Sequence, residues 1–177
     1  MHDQPKLKPL ARSDFFADER ASRPQVEGTI ARGQLRDDSP FYTGKVDGQL
    51  TDELPVPLTP ELLATGRTRF DTFCAPCHGR TGEGNGMVVE RGFKKPNSFH
   101  TERIRQMPIG HFFDAMTNGF GAMADYRAQV PVADRWAVAA YVRALQLSRN
   151  ARLEDVPVER RADLEAKVEA KGPGGHP

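Results

Sequence analysis

Phe73-Cys74-Ala75-Pro76-Cys77-His78 is the stretch whose reading decides the fold. Two thiols stand two residues apart and an imidazole follows at once. Cys-x-x-Cys-His in this order is the attachment signature of a c-type haem. The thiols become thioether links to the porphyrin, and closing both links carries the next imidazole under the metal. Cys74 and Cys77 are therefore the expected attachment points of one covalent haem c, and His78 an expected iron ligand. A zinc site would need four ligands, usually a second cysteine pair or paired histidines. The chain has only these two cysteines, and His100 and His111 lack that spacing. A thioredoxin-like pair would need a βαβ setting, which is absent. No cysteine remains for a disulfide framework.

Outward on the N-terminal side, the spacing predicts a helix from Pro60 to Thr72. Thr59 suits the N-cap, Pro60 the first helical position and Glu61 the positive end of the dipole. Leu62, Leu63, Gly66 and Phe70 form its inner face. Gly66 costs about 1 kcal/mol against alanine in a helix, and close approach by another helix would offset that cost. Phe70, four residues before Cys74, is expected to cover a haem edge.

On the C-terminal side, Gly79-Arg80-Thr81-Gly82-Glu83-Gly84-Asn85-Gly86 reads as a tight irregular loop. No strand precedes it, so nucleotide binding is a poor reading. Residues 87–109 read as loop. Pro96 is expected to present its carbonyl to the second nitrogen of His78, fixing the tautomer. A short helix is predicted over Gly110–Asn118, stopped by Asn118-Gly119. The strongest helix is predicted over Val132–Leu147, with Trp136, Ala140, either Val138 or Tyr141, Val142 and Leu145 inward and small alanines that suit the Gly66 notch.

The second axial ligand has several candidates: Met87, Met107, Met116, Met123, His100 and His111. Met116 sits on a helix face, where methionine is more often core. Met87 lies close behind the motif. Met107, before a proline in a loop, is the rival. Met123 sits in the loop before the last helix, where the chain can cross the distal haem face, and is the expected ligand with His78. A thioether raises the reduction potential relative to a second imidazole.

The remaining chain divides by composition. Residues 1–57 carry scattered prolines and glycines, no sustained apolar period, and spaced apolar residues at Leu10, Phe15-Phe16, Val26, Ile30, Leu35 and Phe41-Tyr42. They read as an extended arm for docking on partner subunits, with a weakly signalled hairpin over 28–46; a disordered leader is the alternative. Residues 58–149 are the haem domain, with twelve basic and eight acidic side chains, a surplus that would steer an acidic partner. Residues 150–177 are a charged tail, helical over 157–170 with pairs such as Arg161–Glu165 and Asp163–Lys167. The fold class is all-α: a haem domain with a long arm and a charged helical tail. The net charge of +1 gives no case for nucleic acid, and no run of about 18 apolar residues marks a membrane span. The N-terminus lacks a signal-peptide pattern. Because c-type haem is attached outside the bacterial cytoplasm, an export sequence is expected upstream of residue 1.

Leu62–Leu147 resembles class I cytochrome c. Gly66 and Phe70 match the first helix of that family, Cys74, Cys77 and His78 its haem site, and Met123 its distal ligand. Trp136 and Tyr141 match the aromatic packing of its last helix. Ala124 stands where proline usually follows the distal methionine. Nearly the whole chain is similar to the monohaem cytochrome c subunits of bacterial alternative complex III. The resemblance is carried by Met1-His2-Asp3-Gln4-Pro5-Lys6, Phe41-Tyr42-Thr43-Gly44, Cys74 through Val89, Arg91-Gly92-Phe93, Gly110-His111-Phe112-Phe113, Asn118 through Met123, and Asp134-Arg135-Trp136 to Ser148. It implies a quinol-oxidising membrane complex in which a multihaem cytochrome c, an iron–sulfur subunit and integral membrane subunits are the partners. Electrons would pass to a terminal oxidase or a soluble carrier. It also implies a place on the periplasmic side of the inner membrane, held by partner subunits or by a lipid on a cysteine upstream of residue 1. No catalytic site of the chain's own is expected. A diffusible cytochrome c, and a haem enzyme with an open sixth position, are the alternatives.

Overall fold

The computed structural model describes residues 4–37 and 39–162. The chain forms two compact units, residues 1–37 and 38–177. The first is built of turns, with a bridge between Arg12 and Arg20. The second unit thus begins at Asp38, not at residue 58, so the stretch 38–57 that reads as arm is folded into the helical unit.

That stretch forms a one-turn helix α1 (Pro40–Thr43) and a two-stranded antiparallel hairpin, β1 (Lys45–Val46) and β2 (Gln49–Leu50), with Lys45 opposite Leu50. The hairpin lies later than the 28–46 expected from sequence. Asp47 and Gly48, both in the left-handed region, make the tight turn that such hairpins favour. Next come helices α2 (Pro60–Arg69), α3 (Ala75–His78), α4 (Met87–Glu90), α5 (Glu102–Arg105) and α6 (Ile109–Asn118), before the long α7 (Val132–Asn150). Beyond it lie a 3₁₀ turn, Leu153–Asp155, and helical residues 158–162. Arg161 there donates to the carbonyls of Val156 and Glu154. The rest of the expected tail helix, including Glu165, Asp163 and Lys167, lies outside the described residues.

The sequence signals act as read at α2. The Leu62 N–H donates to Thr59 Oγ1 at 3.1 Å. Its end differs: Phe70–Cys74 is a π-turn, in which one added residue per turn shifts the phase of the chain beyond it. At the middle of α2 a Cβ on Gly66 would collide with the Ala137 carbonyl, so α2 and α7 cross at backbone contact. An exposed Arg69–Asp134 ion pair at 2.7 Å closes one end of this crossing.

The core lies between α2, α6 and α7. Trp136, Phe70 and Phe113 are its largest fully buried side chains. Phe113 stacks on Trp136 with centroids 4.3 Å apart. Trp136 Nε1 donates to the Phe41 carbonyl at 2.7 Å, and the Gly110 N–H donates to Thr51 O at 2.8 Å. Residues 41–51 are thereby laced onto the helices. Helix α7 is buried over more of its circumference than its apolar residues suggest, because Arg135 and Gln146 are buried with them. Arg135 lies over the Phe113 ring at 4.9 Å and donates to the Val130 carbonyl and to Thr117 Oγ1.

Two substitutions test this frame. Trp136→Phe keeps an aromatic ring but leaves the Phe41 carbonyl without its donor. It should cost about 1–3 kcal/mol. Gly66→Ala must push α7 off α2 and should cost about 1–3 kcal/mol by overpacking. Both are read as a lower denaturant midpoint at unchanged slope.

Candidate haem site

The motif turn is α3, and its carbonyls are what the glycine loop serves. A helix end leaves its last carbonyls without intrahelical donors. Here the Gly86 N–H donates to Cys77 O at 3.1 Å and the Gly84 N–H to His78 O at 2.7 Å. Gly86 is required for a steric reason, since a Cβ there would strike the Pro76 and Ala75 carbonyls. The loop read from sequence as irregular is therefore the clamp that fixes the cysteines and histidine. It continues into α4, which leaves Met87 57% exposed.

Cys74 and Cys77 are unpaired and half-buried. Burial, and then the neighbouring Cys77, push the Cys74 thiol up to about 12. A thioredoxin-like nucleophile needs the opposite, a lowered pKa. Burial also lowers the His78 pKa to about 4, so the imidazole is neutral at physiological pH and keeps a lone pair for a metal. Among the described residues no cluster of three or more His, Cys, Asp or Glu side chains forms a rival metal site.

The His78 ring stacks on Phe99, centroids 4.6 Å apart and planes 13° from parallel. Phe99 also meets Phe70 and Phe112 edge-on or tilted, at 6.2 and 6.1 Å. Its own backbone is held twice: its N–H donates to Gly82 O at 2.9 Å, and its carbonyl accepts from Gln146 Nε2 at 2.9 Å. Sequence reasoning passed over Phe99 because residues 87–109 carry no period. The available signal was an aromatic three residues after Pro96, in a stretch otherwise poor in apolar residues.

The bond expected from Pro96 is not formed. His78 Nδ1 is buried with no hydrogen-bond partner, and the Pro96 carbonyl is turned onto the face of Gly84, where a Cβ would meet it. Phe70 is fully buried, tilted against Phe99 and edge-on to Tyr141 at 5.4 Å.

The methionines separate by environment. Met116 is buried in the core on α6. The Met107 carbonyl accepts from Arg143, whose guanidinium also donates to Arg105 O at 2.9 Å. Met123 is half-buried and packs, like Cys74, against the central cluster. Paired Phe120–Met123 backbone bonds of 3.0 Å make its loop tight. Three residues on, the Tyr126 pKa is raised by burial and then by Cys77 and Cys74. His111 is half-buried on α6, edge-on to Phe112 and Phe120, and His100 Nε2 is hydrogen-bonded with Thr81 O at 2.7 Å.

These residues fit a c-type haem. Two unpaired thiols lie on one clamped turn, a neutral half-buried imidazole follows them, and the half-buried Met123 packs against the same core cluster as Cys74. Residues 61–142 match the family model described as cytochrome c oxidase, cbb3-type, subunit III. They span the motif, Met123 and most of α7; the match is to a cytochrome c domain, which implies electron transfer by haem. A comparison with curated proteins finds no match. Among solved structures, a chain of the reducing HAO-like protein complex of Kuenenia stuttgartiensis aligns at 24% identity and a TM-score of 0.44, over 52% of this chain and 48% of that one. The chain thus spans about half the length of that neighbour.

The Met123 assignment has a spectroscopic test. Met123→His should abolish the methionine–iron charge-transfer band of the ferric protein and lower its potential. Met107→Leu should leave both unchanged. Persistence of the band in the Met123 variant would transfer the role elsewhere.

Proposed function

We propose that this chain is the monohaem electron-transfer subunit of a quinol-oxidising membrane complex of the alternative complex III type. Haem c, when bound, supplies a one-electron couple. The chain's own residues would hold it: Cys74 and Cys77 by thioether bonds, His78 and Met123 as iron ligands. The stacked Phe99 and the buried Phe70 keep the His78 ring in place and water out. With His78 and Met123 both serving as ligands, the metal would offer no open position to a substrate, and the role proposed for the chain is electron transfer alone.

The observation that carries the subunit reading is the division of the chain. The unit from residue 38 onward closes its own core around the site, and a diffusible carrier would need no more than that. Residues 1–37 are then a segment for assembly. The partners proposed are a multihaem cytochrome c that supplies electrons, an iron–sulfur subunit and integral membrane subunits, with a terminal oxidase or soluble carrier as acceptor. The place proposed is the periplasmic side of the bacterial inner membrane. Among the described residues no helix is long and apolar enough to cross a membrane; the attachment proposed is through partner subunits or a lipid.

A second reading rests on the family match, whose name is that of an oxidase subunit: the chain would then belong to a haem–copper oxidase. Purification from native membranes in mild detergent separates the two. Co-purification with multihaem and iron–sulfur subunits is the expected result. Co-purification with a copper-containing oxidase would favour the second reading, and elution alone would leave a diffusible cytochrome.

A further inference from the structure

The first unit has no apolar core. Among its described residues Ser13 is the single buried one. Leu7, Leu10, Phe15, Val26, Ile30 and Leu35 are each more than half exposed. Chains below about 40 residues rarely hold a fold without disulfides, metals or a partner, and this segment has no cysteine.

One part of it is nevertheless closed on itself. The Ala21 N–H donates to Ala11 O and the Ser13 N–H to Glu19 O, both at 3.0 Å. The Leu10 N–H reaches Ser22 Oγ at 3.2 Å. Leu10 and Glu19 hold φ values of 64° and 52°, which side-chain-bearing residues adopt at a cost. Charges within the loop cancel locally. Arg12 pairs with Asp14 and Glu19, and Arg23 with Asp18. The Arg23 guanidinium also covers the Phe16 ring at 4.0 Å. The large groups left uncovered are Phe15, 86% exposed, and Leu10, 87% exposed.

The occupant is indicated by that pattern. With seven basic and six acidic residues in the unit, most loop charges already paired, the surplus of one is too small to draw an anionic bilayer, which needs a polybasic patch or a larger apolar face. A neutral loop that presents a rigid aromatic suits an apolar protein surface, where such side chains act as anchors at low entropic cost. We propose that residues 10–22 are a preformed knob whose Phe15 and Leu10 side chains enter an apolar socket on another polypeptide of the complex. This rests on the subunit reading above.

The test uses the full chain expressed in its native host with its haem attached. Phe15→Ser with Leu10→Ser should lower recovery of the chain in the multisubunit particle by about tenfold or more, with an unchanged haem spectrum. Val26→Ser with Ile30→Ser, an apolar loss in the same unit outside the closed loop, should leave recovery near wild type. Equal recovery of the Phe15/Leu10 variant overturns the knob, as does equal loss in the control pair. Flotation of the wild-type chain with protein-free anionic vesicles, lost in the Phe15/Leu10 variant, would make the occupant a lipid surface and overturn it too. A wild-type chain recovered alone fails the subunit reading itself. A particle that retains the knob variant fails only the knob.

Discussion

Contact between the Ala137 carbonyl and the bare α-carbon of Gly66 is the constraint on which the haem unit depends. No side chain separates α2 from α7 at that point. The crossing fixes where α2 ends, and the π-turn beyond it fixes the phase at which the chain enters the motif. Phe70 falls one turn beyond Gly66 and is sealed against Tyr141 of α7. Helix α7 therefore sets the position of the cysteines from a distance of more than sixty residues in sequence, by geometry that starts at one glycine.

Polar groups do the remaining placing. Gln146 and Arg143 on α7 bond the carbonyls of Phe99, Arg105 and Met107, holding a stretch that has little regular structure. The Arg143 guanidinium lies over the Phe112 ring at 5.1 Å, so it packs as well as bonds. Arg135 does the same over Phe113. Because buried carbonyls are costly when unpaired, these donors confine the loop to one path. That path brings Phe99 against His78. The glycine loop does the equivalent for the motif itself by bonding the carbonyls of Cys77 and His78.

Elements with local signals were legible in sequence. Thr59-Pro60 marks a helix start and Gly119 a helix stop, and both mark the observed ends. Helix α7 begins at Val132 as its pattern requires and runs three residues past Leu147. Features without a local signal were not legible. The π-turn leaves no periodicity of its own. Short α4 and α5 sit in a stretch without a period. The segment 39–57 looks like arm because its apolar residues are sparse, yet Phe41, Leu54 and Val56 pack against the core, and the carbonyls of Phe41 and Thr51 accept bonds from the helices, which no side-chain pattern reveals. The Pro96 carbonyl was expected at His78 from proximity along the chain, but the loop turns it onto Gly84.

By itself the sequence determined the chemistry: Cys74, Cys77 and His78 in that order permit covalent haem attachment, because residue type and spacing are properties of the covalent chain. It also determined the main helices, whose caps and apolar periods are local. Tertiary structure alone decided which aromatic supports the His78 ring, which backbone carbonyls receive donors, and where the folded unit begins. Those outcomes depend on contacts between residues far apart in the chain, and such contacts exist only once α2 and α7 have closed on one another.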